Sequence, residues 1–362
     1  MKGTVAVIGG GYGGAAAAKA LDEHAHVVLI DPKDTFVHSA GSLRALVEPR
    51  WADNIFLPYD TLLANGTVIH DRAARVDPGG VTLASGERVE ADFLVVATGS
   101  SYPFPAKMDT DVAGDALARL RATHAELATA DRVLLVGAGP VGLELAGEVK
   151  AVWPGKSVTI VDPATELLPG FLPELREELE RQLAGLGIDL RMGTKLLERP
   201  SVPPATAKTF AAATSEGELW ADIWFRCHGV RPNNDFLGGQ LAAARTPQGQ
   251  LAVTGTLNVT GFGNVYALGD ITDVAEPKMA AGAMAHAEVI AENIAATIHG
   301  ERPRAHYRPD ETRSILLPLG PHGGVGQIPS ENGAALLPAE TVREYKGKDL
   351  LVDRFRELFG VS

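Results

Sequence analysis

Val5-Ala-Val-Ile-Gly9-Gly-Gly11-Tyr-Gly-Gly14 opens on an apolar run, passes through a glycine turn and continues into the alanines Ala15 to Ala18. The apolar run suits a strand buried on both faces, and the alanines suit a helix. A second apolar run, Val27-Val-Leu-Ile-Asp31, closes on an aspartate. Strand, glycine turn, helix, strand and terminal acid together predict the first βαβ unit of a doubly wound parallel sheet. A GxGxxG string alone is weak evidence; this context makes it specific.

The pattern returns about 130 residues later. Val133-Leu-Leu-Val-Gly137-Ala-Gly139-Pro-Val-Gly142 repeats the turn, and Val158-Thr-Ile-Val-Asp162 repeats the second strand. The stretch from Ser85-Gly-Glu87 through Ala91-Asp92 to Thr98-Gly99 is matched by Glu216-Gly-Glu218 through Ala221-Asp222 to His228-Gly229. The pairs Gly9/Gly137, Asp31/Asp162, Asp92/Asp222 and Gly99/Gly229 are 128, 131, 130 and 130 residues apart. Four landmarks in one order predict two related units. Arg75 to Glu90, broken at Pro78-Gly79-Gly80 and Ser85-Gly86, reads as antiparallel hairpin structure, and Phe93 to Ala97 returns as a core strand.

A dinucleotide's pyrophosphate needs bare backbone amides at a helix N-terminus, where the partial positive charge lies. Gly9 then serves the tight turn, Gly11 the close approach and Gly14 the helix–strand packing, with Gly10, Tyr12 and Gly13 in the same loop. Gly137, Gly139 and Gly142 repeat these roles. Asp31 and Asp162 are expected on ribose hydroxyls. Asp162 is followed by Pro163-Ala164-Thr165, with no adjacent cation for a 2′-phosphate, so NADH is expected over NADPH.

Two dinucleotide units imply two dinucleotides, and the productive pairing is FAD with a nicotinamide. Asn264-Val-Tyr-Ala-Leu-Gly269-Asp270 reads as the first unit resuming, with Asp270 on the ribityl chain. Met279, Ala283, Ala287, Ile290, Ile294 and Ile298 recur at helical spacing, and this helix would aim its N-terminus at the flavin's pyrimidine edge. The expected fold is α/β: two Rossmann-like domains, the FAD domain interrupted by an inserted NAD domain, and a small C-terminal α+β unit. The boundaries expected are 1–110 and 246–310 for the FAD domain, 111–245 for the NAD domain and 311–362 for the last.

Composition narrows the function. The chain has 362 residues, 45% hydrophobic and 22% charged, which suits two or three globular domains. The 33 basic residues against 45 acidic leave −12, which argues against a nucleic-acid partner held by phosphate neutralisation. A single cysteine, Cys227, excludes an intrachain disulfide, a CxxC redox pair and a cysteine zinc cluster, and fits a reducing compartment. The uncharged stretch after Met1-Lys2 imitates a signal peptide, but six glycines interrupt it; Lys2 leaves no Met-Gly start for myristoylation. No apolar run is long enough to span a bilayer, so a cytoplasmic location is expected. The ten histidines show no metal spacing, His124 and His299 are expected in solvent, and no metal is expected. Gly155-Lys156-Ser157 resembles a P-loop ending, but Lys150 occupies the required glycine position and a strand follows.

Beyond the glycine loops stand Phe36-Val-His38-Ser, Leu43-Arg44-Ala, Pro103-Phe-Pro-Ala-Lys107, Pro277-Lys-Met-Ala280, Gly324-Val-Gly-Gln327 and Lys346-Gly-Lys-Asp349. On these the chain resembles, over nearly its whole length, the two-dinucleotide flavoprotein NAD(P)H oxidoreductases. Within them it is most similar to the apoptosis-inducing-factor-like ferroptosis-suppressor branch, and more distantly to type II NADH dehydrogenases. The resemblance implies FAD held by Gly9 to Gly13, Asp31, Arg44, the backbone near Ala73, and Asp270, with Lys107 beside the flavin. It implies catalytic roles for Glu144 and Lys346, the lysine stabilising anionic reduced species or donating a proton. A helix-surface charge for Arg44, a solvated linker residue for Lys107 and a solvated tail residue for Lys346 are the alternative readings. Glu148 is the plain helix-face acid beside Glu144. His38 reads equally as a proton donor or a buried, hydrogen-bonded ring. His228 departs from the family's usual threonine, and Cys227 reads as a small core residue.

The expected function is an FAD-dependent NAD(P)H:quinone oxidoreductase, with hydride passing from NADH to FAD and electrons then to a quinone. A ferredoxin or rubredoxin reductase and a slow-turnover NADH-responsive signalling protein are the alternatives; the −12 charge lends the first no basic docking patch. The tail from Leu350 to Phe359 has helical apolar spacing. Packing against the protein's own body is the preferred reading, and peripheral docking at the inner face of a membrane is the alternative.

Overall fold

The computed structural model describes residues 3–331 and 333–361. The reading of the amino terminus from Met1-Lys2 lies outside them. β1 (Thr4–Ile8), α1 (Tyr12–Leu21) and β2 (His26–Ile30) form the first βαβ unit, with β1 and β2 parallel and in register from Thr4/His26 to Ile8/Ile30. The short helix α2 (Ser42–Val47) follows, then β3 (Thr67–Ile69), which extends the sheet beyond β2. β4 (Ala73–Asp77), β5 (Gly80–Leu83) and β6 (Arg88–Glu90) make an antiparallel ribbon whose first turn is Pro78-Gly79. β7 (Phe93–Val96) re-enters the sheet on the other side of β1.

After α3 (Ala113–Thr129) the scheme repeats with β8 (Arg132–Val136), α4 (Pro140–Val152), β9 (Ser157–Asp162), α5 (Pro173–Gly185) and β10 (Ile188–Met192). A two-stranded ribbon, β11 (Phe210–Thr214) with β12 (Gly217–Ala221), leads to β13 (Ile223–Arg226). The second sheet runs β10-β9-β8-β13, and the corresponding strands of the first run β3-β2-β1-β7. Beside β7 lies a fifth strand, β14 (Val265–Ala267), paired parallel to it. The first sheet is therefore completed by residues that follow the second, which makes the second an insertion. α6 (Ala280–Ile298) then packs across α1, where Ala15, Ala17 and Ala18 meet Ala287, Ile290 and Ile294; small side chains let the two axes approach closely.

Ser100–Ser101 pairs antiparallel with Arg231–Pro232 where the chain leaves and re-enters the first unit. Residues 233–245, expected with the insertion, pack with the first domain: Leu237 and Leu241 are buried with Val76 and Val81 of its antiparallel ribbon. The last unit is an antiparallel sheet of β15 (Ile315–Leu319), β16 (Gly323–Ser330) and β17 (Gly333–Leu337), a π-helical turn (Arg343–Gly347) and α7 (Val352–Phe359). It sits on α4, whose Gly147 permits the contact: a Cβ there would meet the Gly320 nitrogen and Leu319 carbons at 2.6 Å.

The tail helix turns its apolar side inward. Val352, Phe355 and Phe359 are buried; Phe355 lies 4.9 Å from Tyr12 and Phe359 4.7 Å from Phe36, ring centre to ring centre. The Thr61 hydroxyl donates to the Phe359 carbonyl at 2.5 Å. The face that membrane docking would need is covered by the protein itself. Among the described residues no helix is long and apolar enough to cross a membrane.

Candidate functional site

The internal repeat extends to individual hydrogen bonds. Gly9 and Gly137 both have positive φ, +102° and +118°. Asp31 Oδ2 accepts the Gly10 N–H at 2.5 Å, and Asp162 Oδ2 accepts the Ala138 N–H at 2.7 Å. Their other oxygens accept the N–H two residues on, from Lys33 and Ala164, each at 2.8 Å. Asp92 and Asp222 accept the N–H groups that begin β1 and β8, Thr4 at 2.8 Å and Arg132 at 3.0 Å. Both terminal aspartates therefore brace their own glycine loop. A carboxylate has about four acceptor positions, so two remain on each for a ribose. Burial pushes the Asp31 carboxyl up against the lowering effect of the Gly10 and Lys33 amides.

The glycines divide by what a Cβ would meet. On Gly14 or Gly142 it would strike the carbonyl of Gly9 or Gly137; on Gly11 or Gly139 it meets nothing within 4 Å. Gly11 and Gly139 are the N-caps of α1 and α4, and neither end is capped by a side chain. Two open helix N-termini with bare amides are the cradle a pyrophosphate fits.

The inserted loop opens on a cavity of about 1010 Å³. Gly139 and Asp162 line it together with Glu276, Lys278 and Met279, the residues that lead into α6. Met279 is the extended N-cap of α6 and has no side-chain cap. The space before the second glycine loop thus faces the helix start that belongs to the first domain.

Asp270 and Lys107, predicted 163 residues apart, come together. Lys107 Nζ lies 3.4 Å from Asp270 Oδ2 and donates to the Ser100 carbonyl at 2.6 Å; Ser100 Oγ donates to Asp270 at 2.5 Å. Lys107 is a cross-link between the segments that flank the insertion, and Ser100 escaped the sequence reading because a lone serine carries no signal. Ala73 stands at the start of β4, beside an irregularity in its pairing with β5 and four residues beyond the end of β3.

Glu144 and Lys346 meet 202 residues apart, Nζ to Oε1 at 2.8 Å; Lys346 also donates to the Leu316 carbonyl at 3.0 Å. Their side chains are 13% and 17% exposed, so the pair lies just below the surface and is not fully buried. One turn along α4, Glu148 takes a different partner. Arg44 donates to it from Nε at 3.1 Å and Nη2 at 2.8 Å, and from Nη1 to the Lys348 carbonyl at 3.0 Å. Arg44, expected at the flavin, is thus committed to a buried ion pair joining α2, α4 and the carboxy-terminal segment. Burial holds the Glu148 carboxyl above its ordinary value even beside the guanidinium.

His38 is 1% exposed; its Nε2 lies 2.7 Å from the Leu350 carbonyl and Nδ1 3.1 Å from the Tyr12 hydroxyl. The hydrogen-bonded reading is the one this geometry supports. Burial lowers its pKa from 6.5 to about 4. The unfolded chain then takes up a proton between pH 6.5 and 4 that the native ring refuses, so stability falls as pH drops through that window. The loss attributable to His38 is roughly 3 kcal/mol. Denaturant titrations at pH 7 and pH 4.5 should show a smaller drop in His38→Gln than in the unaltered chain; equal drops refute the assignment.

One further expectation, the solvated His124, changes, and the core reading of Cys227 agrees with the structure. His124 is half-buried, not solvated: Nδ1 contacts the Leu46 carbonyl at 3.0 Å and the ring lies 5.3 Å from Trp153. Cys227 is buried, and its thiol is pushed up to about 12, which removes it as a nucleophile.

Similarity to known proteins bears on this arrangement. The family described as pyridine nucleotide-disulphide oxidoreductase matches residues 3–288. The chain belongs to that family. It is 32% identical over 357 residues to ferroptosis suppressor protein 1 of Taeniopygia guttata, covering 97% of this chain and 94% of that one. It is 30% identical to apoptosis-inducing factor homolog B of Dictyostelium discoideum, covering 97% and 95%. The sulfide:quinone oxidoreductase of Aquifex aeolicus superposes with a TM-score of 0.77 over 99% of this chain and 91% of its own, at 19% identity, and shares the fold. This pyridine nucleotide-disulphide oxidoreductase family member is accordingly a flavoprotein oxidoreductase using FAD and a pyridine nucleotide. With one buried cysteine, it has no dithiol for the disulfide chemistry in the family's name.

Proposed function

We propose that this protein oxidises NADH and reduces a quinone. The observation that carries the reading is the Glu144–Lys346 pair, formed between two domains and left partly open. FAD, when bound, supplies hydride acceptance and the passage of electrons onward. The amides at Gly11 and Gly139 would hold the two pyrophosphates, and Asp31 and Asp162 the adjoining riboses. The open N-terminus of α6, at Met279, offers positive potential to a charge that develops beside it. Lys346 is a cation fixed by Glu144 and the Leu316 carbonyl, suited to stabilising or protonating a quinone oxygen. The Aquifex relative's name includes a quinone, which agrees with this acceptor class.

Asp162, Glu166, Asp310 and Glu311 line the cavity and repel an added 2′-phosphate, with Lys278 and Arg313 the cations among its lining. NADH should therefore outperform NADPH in kcat/KM on the order of tenfold or more. The test is anaerobic reduction of the yellow protein by each nucleotide, followed by reoxidation with quinones and with iron–sulfur proteins. Bleaching by NADH and rapid recovery with quinones is the expected result. Recovery only with iron–sulfur proteins, or slow turnover with every acceptor, would replace the quinone reading.

A further inference from the structure

His286, on α6, has no exposed side-chain surface. Its Nδ1 accepts the Gly269 N–H at 3.1 Å. A ring nitrogen that accepts carries no proton, so this hydrogen bond assigns the neutral ring's hydrogen to Nε2. Nε2 lies 3.0 Å from Glu276 Oε1 but is too poorly aligned to complete a directed hydrogen bond. A buried donor is thereby left with a close, unfinished contact.

Each end of this contact leads to a dinucleotide site. Glu276 forms part of the wall of the 1010 Å³ cavity, and its second carboxylate oxygen accepts the Tyr307 hydroxyl. Tyr307 packs edge-on against His286, ring centres 4.2 Å apart, and so holds both partners in place. At the other end the two peptide groups flanking the Gly269 Cα are both held, the Gly269 N–H by His286 and the Gly269 carbonyl by the Thr272 hydroxyl at 2.8 Å. The next residue is Asp270, whose carboxylate is shared with Ser100 and Lys107. Gly269 itself needs φ +69°, and a Cβ there would lie 3.1 Å from Ala283, so this turn has little room to adjust except through its neighbours.

Resting on the flavin–nicotinamide reading, we propose that Glu276 and His286 are positioning residues that couple occupancy of the cavity to the placement of the Gly269–Asp270 turn. A dinucleotide against the Glu276 carboxylate aligns it with His286 Nε2, and the ring transmits the adjustment to the Gly269 amide. Asp270 then shifts against whatever it holds on the flavin side. No bond is made or broken; the effect is a linkage between two binding equilibria, which must be reciprocal.

The experiment measures the FAD dissociation constant of the purified flavoprotein with and without saturating NAD⁺, which cannot reduce the flavin. The ratio of the two constants is the coupling factor, expected to be about fivefold or more in the unaltered protein. Glu276→Gln keeps the side chain's volume and removes its charge; His286→Asn keeps an acceptor near Gly269 and loses the reach to Glu276. A coupling factor less than half the unaltered value in these variants supports the proposal. A factor of half or more overturns it, as does an unaltered protein whose FAD affinity is indifferent to NAD⁺. Should one variant lose a dinucleotide altogether, the other decides, because only Glu276 lines the cavity. A merely structural role would lower melting temperature in both variants and leave the factor in place. Complete failure to bind FAD would instead sink the oxidoreductase reading, a separate and distinguishable outcome.

Discussion

Gly11→Val should yield a folded protein without flavin, while Gly14→Val should yield little folded protein at all. The two glycines are three residues apart in one loop, yet an added Cβ finds open space at Gly11 and the Gly9 carbonyl at Gly14. Gly11 has φ −69°, which any L-residue adopts, so valine there costs about 1 kcal/mol or less of stability. Its branched side chain would stand where the pyrophosphate must approach the amides, and FAD affinity should fall at least ~10³-fold, equivalent to about 4 kcal/mol. At Gly14 the backbone of the loop would have to move away from α1 and the sheet, at a cost of roughly 3 kcal/mol or more. The ratio of flavin to protein absorbance and the thermal midpoint read the two effects separately. Full flavin content in Gly11→Val would show that the first loop is not a dinucleotide cradle. Gly139→Val should lose NADH binding in the same manner and keep its FAD.

Lys346→Ala and Glu144→Ala are each expected to lower kcat by about 10²- to 10⁴-fold, the range typical of a positioned acid or base, with FAD retained. The double variant should be little slower than either single one, because one residue fixes the other across 2.8 Å. Glu148→Gln is the contrasting change. It abolishes the charge opposite the buried Arg44 and should destabilise the fold by about 3–5 kcal/mol, an effect read by denaturant and not by turnover per folded molecule. Stopped-flow measurement of flavin reduction and of reoxidation by a soluble quinone places the defect in one half-reaction. Loss of flavin in the Glu144 or Lys346 variant, or full activity in both, would remove them from the reaction.

The acids of α4 show why a site is harder to read than a fold. Glu144 and Glu148 lie one turn apart on the same helix, and the spacing treats them alike. Their roles separate because Arg44 arrives from α2 at one and Lys346 from the carboxy-terminal turn at the other, 104 and 202 residues distant. His286 is a stronger case. A histidine inside an alanine-rich helix carries no motif, and its meaning comes from the Gly269 amide and the Glu276 carboxylate that the turn before α6 brings to its two nitrogens.

Local sterics wrote the architecture into the amino-acid order. A positive-φ glycine, a bare helix end and an aspartate at the next strand end are decided within about thirty residues, so the echo of Gly9 and Asp31 in Gly137 and Asp162 could be read directly, and the structure adds the matching hydrogen bonds from each aspartate back to its own loop. The periodicity of Val352 to Phe359 was equally plain, but it states only that one face leaves water. Folding brought Tyr12, Phe36 and Tyr59 to cover that face. Burying apolar surface stabilises by its area whatever the covering material is, so the tail's pattern is the same for a bilayer and for a protein core, and the choice rests with the partners that the rest of the chain delivers.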